Sequence, residues 1–481
     1  MAHILYWNAV ALEANRRDFS NVPGTEKPSP EQGGPTLSSR ALAIVHLAMY
    51  DAHAGAVGTP ATLPPYLPGL PAAGAGASPA EAVAYAAHAT LTALFPRQKA
   101  FFDERLQASG VSVSGASAGK DFGLLVAHAI LKDRGADPSA AAVGYSAANA
   151  PGRHRPDPAN PTQGFHAPFY GAGSKCFAVS LRHAILPPYS LGHTEYERAL
   201  KQVRGKGIAP ELMGTVPGAY AKRNVDETLI GLYWAYDGPR ELGTPPRLYN
   251  QIVREIAIQR GNNVDDNARL FALVNAAMGD AGILAWDQKY IHDFWRPVVG
   301  IREHDGSMGP AAPTPTHNID NDCDPLWLPL GAPASNSKDA NFTPPFPAYP
   351  SGHATFGAAS LHMVRLFYGV PAGDRNADTT FTGSFVSEEL NGATRDNNGV
   401  VRPRHVRMFP RGLWQMIEEN GFSRVYLGVH WFFDAFALGT NNKPDLTQDI
   451  GGVPLGLKIA EDIFAVGSGK APKKSPVGPR P

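Results

Sequence analysis

Residues 264–297 read VDDNARLFALVNAAMGDAGILAWDQKYIHDFWRP, and the reading of this stretch decides the fold. Apolar and small residues recur at helical spacing from Val264 to about Tyr290, which predicts one continuous helix. Its most apolar part, Leu270 to Trp286, is interrupted by Asn275 and Asp280 and falls short of a membrane span. Lys289 lies near the helix end and Arg296 just past it, before Pro297, which cannot continue a helix. Working outward, the same period predicts helices at 38–55, 78–95, 116–134, 194–205, 225–236, 246–259, 352–368, 412–427, 431–438 and 454–466. Ser78-Pro79-Ala80-Glu81 and Thr194-Glu195-Tyr196-Glu197 read as capping boxes that open two of them. Strand alternation is scarce. The expected class is therefore all-α, two packed bundles dividing near residues 220–245.

The 481 residues exceed one simple core. Lys+Arg and Asp+Glu both number 43, so no global field draws in nucleic acid or an acidic membrane, and any anion site must be a local concentration of charge. The 50 Gly and 44 Pro, with seven prolines between 151 and 188, point to long ordered connections between helices. Two cysteines, Cys176 and Cys323, rule out a disulfide framework or a Cys-based zinc site and leave two free thiols or one bridge. The first residues, MAHILYWN, lack the basic and apolar regions of a secretory signal, so a soluble, cytoplasmic protein is the default, with non-classical export as the alternative. We expect three units: an N-terminal bundle and irregular wrap over 1–220, a C-terminal bundle over 221–467, and a disordered tail over 468–481.

Three distant fragments carry chemistry: Lys289-(six residues)-Arg296-Pro297, Pro350-Ser351-Gly352-His353, and Ser423-Arg424-(five residues)-His430. The second follows a Pro-rich run and opens a helix, whose free amides and dipole favour an anion. Gly352 lets an oxyanion approach the backbone, Ser351 adds a hydroxyl, and His353 sits on the rim. Ser351 as an ordinary N-cap explains this fragment equally well on its own. Trp286, Tyr290, Phe294 and Trp295 surround the first pair of cations with aromatic surface, and a cation in apolar surroundings needs a partner anion. Arg424 and His430 are too far apart to share one helical face, but Gly428 can end the helix and let His430 swing back. Asp434, one turn beyond His430, can fix its tautomer. Convergent Lys, Arg and helix-start amides suit one highly charged tetrahedral oxyanion.

These three fragments, in this order, resemble the signature of the acid phosphatase/vanadium haloperoxidase superfamily. Further stretches are similar to its fungal-type vanadium chloroperoxidase branch: Leu5-Tyr6-Trp7-Asn8, His166-Ala167-Pro168-Phe169-Tyr170-Gly171, Trp234-Ala235-Tyr236-Asp237-Gly238 and Gly451-Gly452-Val453-Pro454 among them. The resemblance implies two four-helix bundles and a vanadate cofactor, with phosphate able to take its place in the apo site. It implies that His430 binds vanadium and that Lys289, Arg296, Ser351, Gly352 and Arg424 hold the oxygens. His353 would serve as acid–base toward peroxide, and Asp237 would pair with Arg424. Trp286 and Phe346 match positions beside the halide pocket. The implied activity is oxidation of halide, bromide and potentially chloride, by hydrogen peroxide to hypohalous acid, with small organic acceptors downstream. The alternatives are a phosphomonoesterase working through a phosphohistidine at His430, and a non-catalytic oxyanion binder.

Overall fold

The computed structural model describes residues 3–20, 29–303 and 323–480, and helices organise them. In chain order these are α1 (His3–Asp18), α2 (Gly34–Val57), α3 (Pro79–Leu94), α4 (Lys99–Ala108), α5 (Ala118–Asp133), α6 (Tyr170–Gly173) and α7 (Thr194–Lys206). The second half supplies α8 (Val225–Tyr233), α9 (Pro245–Gln259), α10 (Val264–His292), α11 (Pro297–Glu303), α12 (Gly352–Phe367), α13 (Gly412–Tyr426) and α14 (Gly452–Val466). Strand among the described residues is limited to two short antiparallel pairs, 384–385 with 407–408 and 437–438 with 444–445. The all-α class is what the chain adopts.

α10 is the shared element. It packs on α2 on one side and α12 on the other; α2, α3 and α5 form one layered group, and α12, α13 and α14 the other. By length and composition α10 is apolar enough to cross a membrane, yet 94% of its most apolar window is buried inside the protein. Its two polar interruptions are both satisfied there. Asn275 exchanges hydrogen bonds with Asn250 on α9, and Asp280 accepts the amides of Phe177, Ala178 and Val179 at 2.5, 2.8 and 2.9 Å. Burying each large apolar side chain of this helix contributes roughly 1.5–3 kcal/mol. α14 lies directly on the first turns of α12: a Cβ added at Gly452 or Gly456 would stand 2.4 Å from the carbonyl oxygen of Ser351 or Thr355. That contact fixes the helix start on which the anion-binding fragment depends.

Ser78 caps α3, accepting the Glu81 amide at 3.4 Å. The reciprocal half of the expected box is missing, because Glu81 instead accepts from Ser117 Oγ, the cap of α5, at 2.9 Å. α7 begins at Thr194, but its cap is His193, whose Nδ1 accepts the Glu195 amide at 3.1 Å. A turn closed by His193 N–H donating to Ser190 O brings the chain in one residue earlier than the sequence indicated. A full capping box occurs at Asn224 and Glu227, opening α8.

Two further expectations are corrected. Residues 431–438 are not a helix but one 3₁₀ turn, Phe432–Asp434, followed by a two-residue strand. The Asp434 carboxylate curls the chain around itself by accepting the Trp431 amide at 3.0 Å. The tail expected to be disordered lies against the body up to residue 480; position 481 falls outside the described residues. Cys176 N–H donates to Val477 O and Ser475 N–H to Phe177 O, both at 2.9 Å. Lys474 pairs with Asp133 at 2.6 Å and Arg480 with Asp287 at 3.0 Å. The polar composition of the tail hides main-chain bonds to a partner segment some 300 positions away. Cys176 and Cys323 are buried and form no disulfide with each other; Cys323 Sγ donates to Arg302 O at 3.1 Å.

Candidate active site

Helix ends deliver the chemistry-bearing groups to one place. Lys289 lies in the last turn of α10 and Arg296 in the link before α11; Ser351 caps α12, and Gly352 and His353 form its first turn. Arg424 is in the last turn of α13. Gly428, at φ 73°, then reverses the chain so tightly that a Cβ there would lie 2.3 Å from Gly207 O. This left-handed step, open to glycine, returns His430 to Arg296, whose Nη1 stands 2.9 Å from His430 Nε2.

Each imidazole is held in one tautomer. Asp434 Oδ2 lies 2.7 Å from His430 Nδ1; a carboxylate only accepts, so the ring proton is on Nδ1 and Nε2 keeps its lone pair. His353 Nε2 lies 2.5 Å from the Ala235 carbonyl, which places its proton on Nε2 and leaves Nδ1 bare. Asp237, in the link between α8 and α9, receives both Nη atoms of Arg424 at 2.7 and 2.8 Å and lies 4.0 Å from His353 Nε2. Trp286 and Phe346 face each other at 4.7 Å between ring centroids. Lys289 Nζ and the Arg296 guanidinium sit 5.1 and 4.9 Å from the Phe346 ring.

The three donors of Lys289 go to the main-chain carbonyls of Pro347, Ala348 and Pro350, at 2.8, 3.0 and 2.5 Å. Ser351 caps its own helix by accepting the Ala354 amide at 3.4 Å, which leaves the hydroxyl proton to donate. The first-turn amides of Gly352 and His353 have no acceptor within the helix.

The charge balance of this cluster is what makes it a site. Lys289, Arg296 and Arg424 are buried and, among the described residues, face the two carboxylates of Asp237 and Asp434. Arg296 Nη2 and Arg424 Nε are buried without a hydrogen-bond partner among the described residues. Burial, reinforced by Arg296, drives the Lys289 ammonium well below its ordinary range. Burial likewise lowers Arg296 to about 9 and pushes the Asp434 carboxyl up to about 7, against the pull of Lys289 and Arg296. Surplus buried positive charge with idle guanidinium donors fits a multiply charged oxyanion. The cluster forms the floor of a cavity of about 470 Å³, lined by His353, Arg424, His430, Trp286, Phe346 and His166 among others.

The sequence singled out eleven residues here, and the structure brings all of them into this cluster or its first contacts. It missed His166, which stood only inside a stretch of similarity, and the three carbonyls around Lys289, because main-chain groups leave no mark in residue type. It also missed His154, a fully buried imidazole with neither ring nitrogen partnered among the described residues, driven well below its ordinary pKa by burial and then by Arg296 and Lys289.

Burial, with Arg424 adding to it, pulls the His353 imidazole down from 6.5 to about 3. The unfolded chain takes up this proton near pH 6.5 and the folded one only near 3, so stability is lost as pH falls through that window. The slope is up to about 1.4 kcal/mol per pH unit for the one group. In phosphate-free buffer, His353→Gln should lose about 1.6 kcal/mol less than the wild type between pH 6.5 and 5 in urea unfolding. Parallel pH profiles would refute the assignment.

The fold and site together describe a helical protein built around a buried cluster of cations and imidazoles. Two family models match: "Vanadium chloroperoxidase N-terminal domain" over residues 1–176 and "VCPO second helical-bundle domain" over 269–441. Vanadium chloroperoxidase of Curvularia inaequalis is 36% identical over 595 aligned positions, covering 100% of this chain and 92% of that protein. The chain belongs to the vanadium chloroperoxidase family. In fold it is similar to a bacterial vanadium-dependent iodoperoxidase, with a TM-score of 0.60 and 19% identity over 95% of this chain and 94% of that one. It is equally similar to the holo form of a bacterial vanadium-dependent chloroperoxidase, with a TM-score of 0.60 and 18% identity over 90% and 94% of the two chains. The 595 aligned positions against 481 residues mean that this chain omits segments which the Curvularia protein carries.

Proposed function

We propose that this protein is a vanadium-dependent haloperoxidase that oxidises bromide, and chloride as a second substrate, with hydrogen peroxide. The observation that carries the reading is the surplus of buried cations, two of them with idle guanidinium nitrogens, around the unprotonated Nε2 of His430. Vanadate would be held by His430 Nε2, with its oxygens received by Arg296, Arg424, Ser351, the Gly352 amide and Lys289. Lys289 must turn one donor away from a carbonyl to join them. Phosphate, of nearly the same shape, would occupy the apo site.

When bound, vanadium(V) supplies a Lewis acid that activates peroxide toward halide without changing oxidation state. The chain's own groups do the rest. His353 Nδ1 accepts a proton from hydrogen peroxide and returns it to product, while the Ala235 carbonyl keeps the ring oriented. The three buried cations offset developing negative charge from fixed positions. Trp286 and Phe346 exclude water from the place where halide would approach. Overall, peroxide, halide and one proton give hypohalous acid and water. The cavity above is wide enough for a small organic acceptor. The division into an N-terminal unit over 1–220 and a site-bearing unit over 221–467 belongs to the same proposal, with the two family models on either side as support.

Vanadate titration tests this reading. At about 100 times its dissociation constant, vanadate should add about 2.7 kcal/mol of stability, and peroxide-dependent halogenation should emerge in step. A phosphatase on the same socket would instead be inhibited by vanadate, and ester hydrolysis that falls while no halogenation appears would replace this reading with that one.

A further inference from the structure

We propose that His166 is a halide-specificity residue, presenting an Nδ1–H donor to an anion held against Trp286 and Phe346. The inference rests on the haloperoxidase reading above and deepens it. His166 lies in the irregular stretch before α6 and lines the cavity. Its ring stands 6.0 Å from Trp286 and 6.1 Å from Phe346, so three rings enclose one corner. Its backbone binds the same two neighbours. The His166 amide donates to Pro345 O at 2.8 Å, next to Phe346, and its carbonyl accepts from Trp286 Nε1 at 3.3 Å and Tyr290 Oη at 2.7 Å.

This leaves few donors for an anion in that corner. The Trp286 indole N–H is taken by the His166 carbonyl, Lys289 is shared among three carbonyls, the Phe346 ring has none, and Arg296 Nη2, near the Phe346 ring, is assigned above to vanadate. His166 Nε2 is fixed by Thr36 Oγ1 at 2.9 Å, whereas Nδ1 makes no hydrogen bond among the described residues. The Thr36 hydroxyl rotates to donate or accept. An anion in the cavity selects the arrangement in which Thr36 donates into Nε2 and the ring proton faces outward on Nδ1. Burial keeps the imidazole neutral, down to about pH 4, so the donor stays the same across working pH. Gly34, at φ 69°, makes room for the ring: a Cβ there would lie 2.4 Å from both Cε1 and Nε2.

Bromide-soaked crystals of the vanadate-treated protein, read by anomalous scattering, together with steady-state kinetics of His166→Phe and Thr36→Val, test the assignment. We expect a bromide peak within hydrogen-bond reach of His166 Nδ1. In His166→Phe the KM for bromide should rise about tenfold, with a larger rise for chloride, while the KM for peroxide and the affinity for vanadate stay unchanged. Thr36→Val, which frees the tautomer without removing the ring, should show a smaller rise of the same kind. A bromide peak elsewhere overturns the proposal. So does an unchanged halide KM in His166→Phe, or an equal loss of vanadate affinity and peroxide KM, which would mark a packing role. A peak at His166 without vanadate-dependent turnover would keep the halide site and remove the oxidation reading instead.

Discussion

His430→Ala is expected to abolish vanadate-dependent halogenation and to weaken vanadate binding by more than about 100-fold, the upper end for losing only a ligand's supporting partner. The effect should be this large because the lone pair of His430 Nε2 lies among the cations, 2.9 Å from Arg296 Nη1, and is held there by the Asp434 carboxylate 2.7 Å from Nδ1. Asp434→Asn provides the graded comparison. It keeps the ring but weakens its orientation and basicity, so vanadate affinity should drop by roughly 10–100-fold. Isothermal titration with vanadate, beside thermal unfolding to show an intact fold, reads both variants. Full vanadate affinity in His430→Ala would remove the imidazole from the socket altogether.

Asp237→Ala should destabilise the protein by about 3–5 kcal/mol, the range for breaking one partner out of a buried ion pair. Arg424 is left with no compensating charge: its side chain is 1% exposed, its two Nη atoms lose Asp237, and its Nε is already without a partner. Guanidinium unfolding of the single variant and of Asp237→Ala/Arg424→Met decides the cause. The double variant should recover much of the loss, since it removes the stranded charge together with the broken pair. Equal losses in both would mean that packing, not charge, sets the effect. Saturating vanadate should also narrow the gap for the single variant, because the anion supplies part of the missing negative charge.

Much of this architecture can be read from residue types. Helix positions follow from apolar period and caps, as at Ser78, and the three scattered fragments point to one socket because cations, a helix start and imidazoles have recognisable chemistry. What escapes such reading is whatever depends on main-chain geometry or distant pairing. Residues 431–438 are apolar enough for a helix, but Asp434 takes the Trp431 amide and ends regular structure there. α1, α4 and α11 lack clear start signals, and α11 begins immediately after the arginine that the site needs. The three carbonyls that hold Lys289 come from a Pro-rich segment whose side chains say nothing about where its oxygens point. The tail looks solvated in composition and is bound through its backbone.

The left-handed turn at Gly428, pressed against Gly207, sets a boundary for laboratory evolution of this scaffold. Any side chain introduced there collides with backbone and would displace His430 from Arg296, so randomising that bend should yield mostly dead clones. Diversity belongs instead at cavity-lining positions outside the cation cluster, such as Ser29 and Arg240.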